Sequence, residues 1–126
     1  MSALQGLRVL VVENDAMSAS LLEMQLMHAG AVMVGPASSV AEALRLIEEA
    51  APQIVLLDYR LANHETSDPV ADALTALGIP FVVATGMANF QLPEAFRAGR
   101  VLTKPYLTAE LNQALTAALQ DHAASA

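Results

Sequence analysis

Three short apolar runs constrain the fold of this chain more than any other feature. Each run is continuous, rather than alternating with polar residues, and each ends abruptly in polar chemistry; the runs are Arg8–Val12, Ile54–Leu57 and Phe81–Thr85. A continuous apolar strand must be covered on both faces, as it is in a parallel sheet flanked by helices. The three runs therefore predict buried strands of such a sheet.

Helical signals separate these runs. Residues 16–29 carry apolar side chains at helical spacing (Leu21, Leu22, Met24 or Gln25, and Leu26), and 70–77 and 108–119 predict two further helices, the last capped by Thr108. A helix before Pro52 has the apolar stripe Val40, Ala43, Leu44 and Ile47, with Ser38 or Ser39 as its cap and Glu42 reaching back to Ser39. Residues 31–35 and 101–103 predict strands, and 87–99, interrupted by Pro93, a short or irregular helix.

The order of these elements is a strand followed by a helix, five times. Such alternation predicts an α/β domain with a parallel sheet and right-handed crossovers. We expect one flavodoxin-like, doubly wound domain over 1–126, with five strands in the order 2-1-3-4-5. Its core spans about 6–119, and 121–126 is expected to be a frayed tail.

Composition excludes several classes of function. The net charge is −7, and the six basic residues are scattered rather than clustered, which argues against binding nucleic acid. The chain has no cysteine, which excludes a thiol nucleophile. No apolar run reaches the roughly 18 residues of a membrane span, and the N-terminus does not resemble a signal peptide. A cytoplasmic location is expected, and a homodimer stays open.

The polar residues that close the apolar runs are expected to meet in space. In a parallel sheet functional groups gather at the carboxyl ends of the strands, where this chain has Glu13, Asn14, Asp15, Asp58, Thr85 and Lys104. Clustered carboxylates repel unless a cation or a proton relieves them, and oxygen ligands favour a hard cation such as Mg²⁺. Asp58 can then be both a metal ligand and a phosphoryl-accepting nucleophile. Lys104 and Thr85 can contact the phosphoryl oxygens.

Over about residues 6–119 the sequence resembles the receiver domains of bacterial response regulators. Four motifs at strand ends carry the resemblance: Val11-Val-Glu-Asn-Asp15, Val55-Leu-Leu-Asp58, Val83-Ala-Thr-Gly86 and Leu102-Thr-Lys-Pro-Tyr106. The resemblance implies that Asp58 is the phosphoacceptor, Thr85 the switch hydroxyl and Lys104 the phosphate-contacting cation. It also implies Mg²⁺ at Glu13, Asp58 and the backbone carbonyl of Arg60, and often a cis peptide at Lys104–Pro105.

Three features depart from the family pattern. The family carries two adjacent acids after the first strand, but the second position here is Asn14, an uncharged amide where a direct metal ligand is usual. Mg²⁺ is therefore expected to bind weakly, with Asp15 as a candidate substitute at a different spacing. Val101 replaces the switch aromatic three residues before Lys104, so we expect Thr85 and 87–99 to relay activation. The loop after Asp58 lacks the common proline.

The resemblance implies that a histidine kinase or histidine phosphotransfer protein donates the phosphoryl group and that the signal leaves by contact with an unidentified downstream protein. No enzyme activity is expected beyond self-phosphorylation, from phosphohistidine or small phosphodonors, and autodephosphorylation. Asn14 and Val101 keep open an alternative, an interaction module that does not depend on phosphorylation. A nucleotide-binding flavodoxin-like protein is a third interpretation, but Glu13-Asn14-Asp15 stands where its glycine-rich phosphate loop would be. Met17, Met24 and Met27 are interpreted as packing residues of one helix, with a binding face as the alternative.

Overall fold

The computed structural model describes residues 4–86 and 92–125. Its centre is a sheet of five strands, all parallel: β1 (Arg8–Val12), β2 (Val32–Ala37), β3 (Ile54–Asp58), β4 (Phe81–Thr85) and β5 (Arg100–Thr103). The strand order is β2-β1-β3-β4-β5. The predicted fold class and strand order are confirmed, and β3 lies at the centre of the sheet.

Four α-helices connect and cover these strands in the described parts of the chain: α1 (Ala16–His28), α2 (Val40–Ala50), α3 (Asp68–Leu77) and α4 (Thr108–Ser125). The fifth helical segment was predicted to be short or irregular. Between β4 and β5 the described residues contain only a 3₁₀ turn, Glu94–Phe96, and residues 87–91 of the predicted irregular helix lie outside the described residues. None of the described helices has the length and apolar character that a bilayer crossing requires.

The C-terminal helix is longer than predicted. α4 continues through residues 121–125, which the sequence pattern assigned to a frayed tail. One reason is an ion pair on its surface, because Asp121 accepts two hydrogen bonds from Arg100 of β5, at 2.6 and 2.9 Å. This bidentate pair holds the last turns of α4 against the edge of the sheet.

The sheet divides the core into two clusters, which explains why the strands are continuously apolar. Val9 and Val11 of β1 face the side covered by α1 and α4, while Leu10 and Val12 face the side covered by α2 and α3. Every residue of β4 is buried, and so are the first four of β3. Each such Val or Leu contributes about 1.5–3 kcal/mol through burial.

The apolar stripes of the helices are narrower than the sequence predicted. In α1 the buried residues are Ala19, Leu22 and Leu26, whereas Leu21 is 56% exposed. In α2 they are Ala43 and Ile47, and Leu44 is exposed. A helix lying on a sheet buries one face, so apolar residues one position from that face remain in water.

The helix caps follow the predicted chemistry with two corrections. Ser39 caps α2 by accepting the N–H of Glu42 at 3.2 Å. The carboxylate of Glu42 reaches back to the N–H of Ser38, at 2.8 Å, instead of that of Ser39. Thr108 is the first residue of α4 and its hydroxyl accepts a hydrogen bond from Gln25 at 2.8 Å, so it ties α4 to α1.

Candidate functional site

Two residues from distant parts of the chain meet at the carboxyl edge of the sheet. Asp58 is the last residue of β3, and Lys104 directly follows β5. The Nζ atom of Lys104 lies 3.0 Å from Oδ2 of Asp58, and the two side chains are 38% and 15% exposed. The expected convergence of these strand ends places a cation on a half-sheltered carboxylate.

Backbone contacts fix Lys104 in this position. Its N–H donates to the carbonyl of Thr85 at 2.9 Å, and the Lys104–Pro105 peptide is cis, as the resemblance implied. Thr85 itself is the last residue of β4 and is 4% exposed. The cation is therefore attached to the strand end that carries the hydroxyl.

An open depression of about 280 Å³, here called the site depression, lies over these residues. It is lined by Asp58, Tyr59, Arg60, Thr85, Gly86 and Lys104. A carboxylate, a hydroxyl residue and a cation therefore border one solvent-accessible space. That combination suits an incoming oxyanion such as a phosphoryl group, because the cation can neutralise the charge of its oxygens.

Glu13, which follows β1, forms a carboxylate pair with Asp58. Glu13 is 7% exposed, and its pKa is raised to about 7 by burial, by the charge of Asp58 and by a hydrogen bond between the two side chains. The N–H of Asp15, which donates to Glu13 Oε2 at 3.3 Å, and the charge of Lys104 oppose this rise. Near neutral pH a substantial fraction of Glu13 is therefore protonated, and its side chain hydrogen-bonds to Asp58.

The other two residues of this turn take different roles. Asn14 is exposed, and Asp15 caps α1. Oδ2 of Asp15 accepts the N–H of Ser18 at 2.9 Å and its hydroxyl at 2.7 Å, and these bonds lower the pKa of Asp15. One oxygen of the Asp15 carboxylate therefore serves the helix, and its role as a substitute ligand stays a prediction.

The donors that remain fit Mg²⁺ with fewer charges than a three-acid site. Among residues 4–86 and 92–125 no cluster of three or more His, Cys, Asp or Glu is arranged to hold a metal ion. Mg²⁺ usually takes one or two carboxylates and completes its shell with water. Glu13 and Asp58 provide two, and a bound cation would favour the ionised form of Glu13. Thus the residues present fit the ion.

The backbone carbonyl of Arg60 is positioned by the loop after β3. Arg60 and Thr66 form an antiparallel bridge, whose two hydrogen bonds are accepted by the carbonyls of Tyr59 and Glu65. The carbonyl of Arg60 therefore accepts neither of the two hydrogen bonds that form the bridge. This loop, residues 59–67, is called the site loop below.

The site loop is more ordered than the polar sequence suggested. Asn63 and His64 both have left-handed backbone conformations, with φ of 60° and 63°, which are unusual for residues other than glycine. A carboxylate oxygen of Glu65 accepts the N–H of Val40 at 3.0 Å, at the start of α2. The strained turn is thus fastened to a neighbouring helix. Sequence reasoning missed this contact because Glu65 is far from Val40 along the chain.

Sequence reasoning also missed two tyrosines beside the acids. The ring of Tyr59 meets that of Phe96 edge to face, with centroids 5.4 Å apart. The pKa of Tyr106 is raised by burial and then by the charges of Glu13 and Asp58. Only 4% of the chain is aromatic, so a tyrosine directly after Asp58 and another two residues after Lys104 were the available signal.

Four large apolar residues of α1 are exposed rather than packed. Met17, Met24 and Met27 are 82%, 59% and 66% exposed, so the packing interpretation is wrong for them. With Leu21 they form an exposed apolar stripe along the helix that Asp15 caps. A contiguous apolar surface of this kind is typical of a contact site.

Known proteins are similar to this chain over most of its length. The solution structure of SdrG from Sphingomonas melonis Fr1 is 39% identical, covers 94% of this chain and 99% of that one, and has a TM-score of 0.78. The signal receiver domain of a modulated diguanylate cyclase from Desulfovibrio desulfuricans G20 is 25% identical, with coverages of 97% and 100% and a TM-score of 0.81.

A curated relative is also similar, although it is longer. The transcriptional regulatory protein PdtaR of Mycobacterium tuberculosis H37Rv is 30% identical over 115 residues, which are 89% of this chain and 56% of that protein. The chain therefore spans about half the length of the curated relative it matches. No family model matches the sequence.

Proposed function

Because this chain belongs to the receiver-domain family of response regulators, we propose that Asp58 accepts a phosphoryl group from a phosphohistidine of a partner protein. The partner would be a histidine kinase or a histidine phosphotransfer protein. The observation that carries the proposal is the Asp58–Lys104 ion pair, which borders an open depression shared with Thr85.

The transfer is a displacement at phosphorus. An Oδ atom of Asp58 attacks the phosphorus, the P–N bond to the partner's imidazole breaks, and the imidazole leaves with the electron pair and takes up a proton. The product is an aspartyl phosphate. Its carbonyl and phosphoryl oxygens remain beside Lys104, whose ammonium moves from pairing with the carboxylate to pairing with the phosphoryl group.

The neighbouring residues stabilise the charge that arrives. Lys104 supplies a cation on a stem fixed by its backbone bond to Thr85, and the hydroxyl of Thr85 is the expected donor to a phosphoryl oxygen. Mg²⁺, which Glu13, Asp58 and the Arg60 carbonyl would hold, supplies further positive charge when bound. Glu13 would have to be ionised to bind the cation, so Mg²⁺ binding is expected to tighten as pH rises through 7.

The exposed stripe on α1 supports a protein as the donor and as the recipient of the signal. Met17, Leu21 and Met24 lie along α1, which begins three residues after Glu13. A partner that covers these side chains would gain burial energy and at the same time bring its histidine to the site depression. The net charge of −7 also favours a protein over a nucleic acid as the partner.

A small phosphodonor tests the proposal directly. Wild-type protein is incubated with acetyl phosphate and Mg²⁺, and its intact mass is measured. We expect one added phosphoryl group on wild type and none on Asp58→Asn. Asp72→Asn is the matched control, because it makes the same change at an exposed position on α3. An unchanged wild-type mass at saturating donor, or equal labelling of Asp58→Asn, would refute the assignment.

A second function has one observation in its favour. Oδ2 of Asp15 caps α1 and Asn14 carries no charge, so only two acids, Glu13 and Asp58, are proposed as charged ligands of the metal. If Mg²⁺ does not bind at physiological concentration, the chain acts as an interaction module through its surface, without phosphorylation. Calorimetric titration with Mg²⁺ separates the two functions. Binding in the millimolar range supports phosphorylation, and the absence of binding supports the interaction module.

A further inference from the structure

We propose that Tyr59 is a positioning residue that transmits the state of Asp58 to the segment before β5, through its contact with Phe96. The inference rests on the proposed phosphorylation of Asp58 and names the route by which that event changes the rest of the domain. Tyr59 follows Asp58 directly in the chain. Tyr59 lines the site depression, and its ring contacts the segment that precedes β5.

The backbone of Tyr59 is fixed on both sides, which makes its ring a stiff connection. Its N–H donates to the carbonyl of Ala84 in β4 at 3.3 Å, and its carbonyl accepts the N–H of Ser67 at 2.9 Å. The ring therefore cannot follow a rearrangement by moving its backbone. A change in the site depression is passed to whatever the ring touches.

The ring touches the anchor of the segment. Phe96 packs edge to face against Tyr59, with an interplanar angle of 71° and centroids 5.4 Å apart. Phe96 is 2% exposed and is the buried residue of 92–99, while its neighbours there are partly or fully exposed. The attachment of this segment to the domain therefore depends strongly on the surface that Tyr59 offers to Phe96.

Arg60 provides a reason for the ring to respond to charge. Its guanidinium carbon lies 5.7 Å from the centroid of the Tyr59 ring. Arg60 also borders the site depression, so a phosphoryl group on Asp58 would compete for it. Arginine binds phosphate oxygens through paired charge-assisted hydrogen bonds, which are stronger than an exposed contact with a ring face. Phosphorylation would thus draw Arg60 off the ring and place phosphoryl oxygens beside it.

The strand that usually carries a switch ring has none here. The residue three positions before Lys104 is Val101, which pairs with Val83 in the sheet. Among the six residues that line the site depression, Tyr59 is the aromatic one. Among the described residues, which leave out 87–91, the contact of Tyr59 with Phe96 is therefore an aromatic connection between the residue after the phosphoacceptor and the segment before β5.

The first experiment tests the contact in the unmodified protein. Hydrogen exchange of peptides within 92–99 is compared in wild type, Tyr59→Leu and Tyr59→Phe. We expect Tyr59→Leu to raise exchange there by about two- to tenfold, which is the factor expected for the loss of one aromatic pair. Tyr59→Phe should match wild type, because the contact uses the ring and not the hydroxyl. Unchanged exchange in Tyr59→Leu overturns the proposal.

Phe96→Leu keeps this arm decisive if Tyr59→Leu does not fold. It removes the other ring and should raise exchange in the same peptides, while Tyr59→Phe still behaves as wild type. A rise spread evenly over the strands, rather than concentrated in 92–99, would mean general destabilisation and would also overturn the proposal.

The second experiment tests transmission. Wild type, Tyr59→Phe and Tyr59→Leu are treated with acetyl phosphate and Mg²⁺, and intact mass is used to compare samples at equal phosphoryl incorporation. Exchange in 92–99 should change on phosphorylation in wild type and Tyr59→Phe but not in Tyr59→Leu. A wild-type response in Tyr59→Leu refutes the relay. If no variant gains a phosphoryl group, the proposed function fails, and the unmodified-protein experiment still decides whether Tyr59 and Phe96 are coupled.

Discussion

The carboxylate pair of Glu13 and Asp58 predicts an unusual dependence of stability on pH. The pKa of Glu13 rises from 4.5 in the unfolded chain to about 7 in the folded protein. An acid with a raised pKa binds more protons in the folded state than in the unfolded state between these values. The free energy of unfolding of the metal-free protein should therefore fall as pH rises from about 5 to about 7.

The size of this effect follows from the shift. At about 1.4 kcal/mol per pKa unit, the change from 4.5 to about 7 corresponds to a loss of about 2.5 kcal/mol between pH 5 and pH 8. Solvent at the edge of the sheet screens part of this, so we expect about 1–2 kcal/mol in practice. Glu13→Gln cannot ionise and should escape the loss.

The assay is urea denaturation in chelator at pH 5 and pH 8. The stability of Glu13→Gln relative to wild type should rise by about 1–2 kcal/mol from the lower to the higher pH. Glu23→Gln, which makes the same change at an exposed position on α1, is the matched control and should give the same difference at both. If the stability difference between Glu13→Gln and wild type did not depend on pH, the pKa of Glu13 would not be raised in the folded protein, and the reasoning would be refuted.

Three further changes test the site and its support. Asn14→Asp adds a third acid beside Glu13 and Asp58, so it should tighten Mg²⁺ binding by about tenfold or more in calorimetry and lower the melting temperature in chelator; unchanged affinity would show that position 14 is not at the metal. Lys104→Ala should slow phosphorylation by acetyl phosphate at least about tenfold, because the phosphoryl charge loses its cation; a wild-type rate in the mass assay would exclude that role. Gly99→Ala should destabilise the fold by about 1–3 kcal/mol in urea denaturation. The added Cβ would overlap the ring of Phe81, whereas the control Gly86→Ala meets nothing within 4 Å and should be close to neutral.

The strands and their order could be predicted because one physical requirement governs them. A strand covered on both faces needs a continuous apolar run. The runs at 8–12, 54–57 and 81–85 have this pattern and the length of strands, so they predict buried parallel strands. Between β4 and β5 the sequence predicted a short or irregular helix, and the described residues there contain a 3₁₀ turn that follows Pro93. Propensity there is weak, and the packing of Phe96 decides the local structure.

The members of the candidate site could be predicted, but not their bonding. Strand-end positions brought Asp58, Thr85 and Lys104 together without knowledge of any contact. The choice of Asp15 as a helix cap could not be made, because an aspartate between a strand and a helix suits both a metal and the N–H groups of the helix. Contacts across the fold, such as Glu65 with Val40 and Tyr59 with Phe96, depend on packing that spacing does not encode.

The covering of the central strands on both faces separates two kinds of mutational tolerance. Every position of β4, and four of five in β1 and β3, is closed to water, so a polar replacement there has no face on which it could be harmless. Variation that keeps the fold is confined to apolar exchanges of similar volume. Exposed positions in the turns that follow the strands carry no such restriction, and a position such as Asn14 can hold an acid or an amide while the architecture stays intact. Residues at such positions can therefore change during evolution while the protein stays folded.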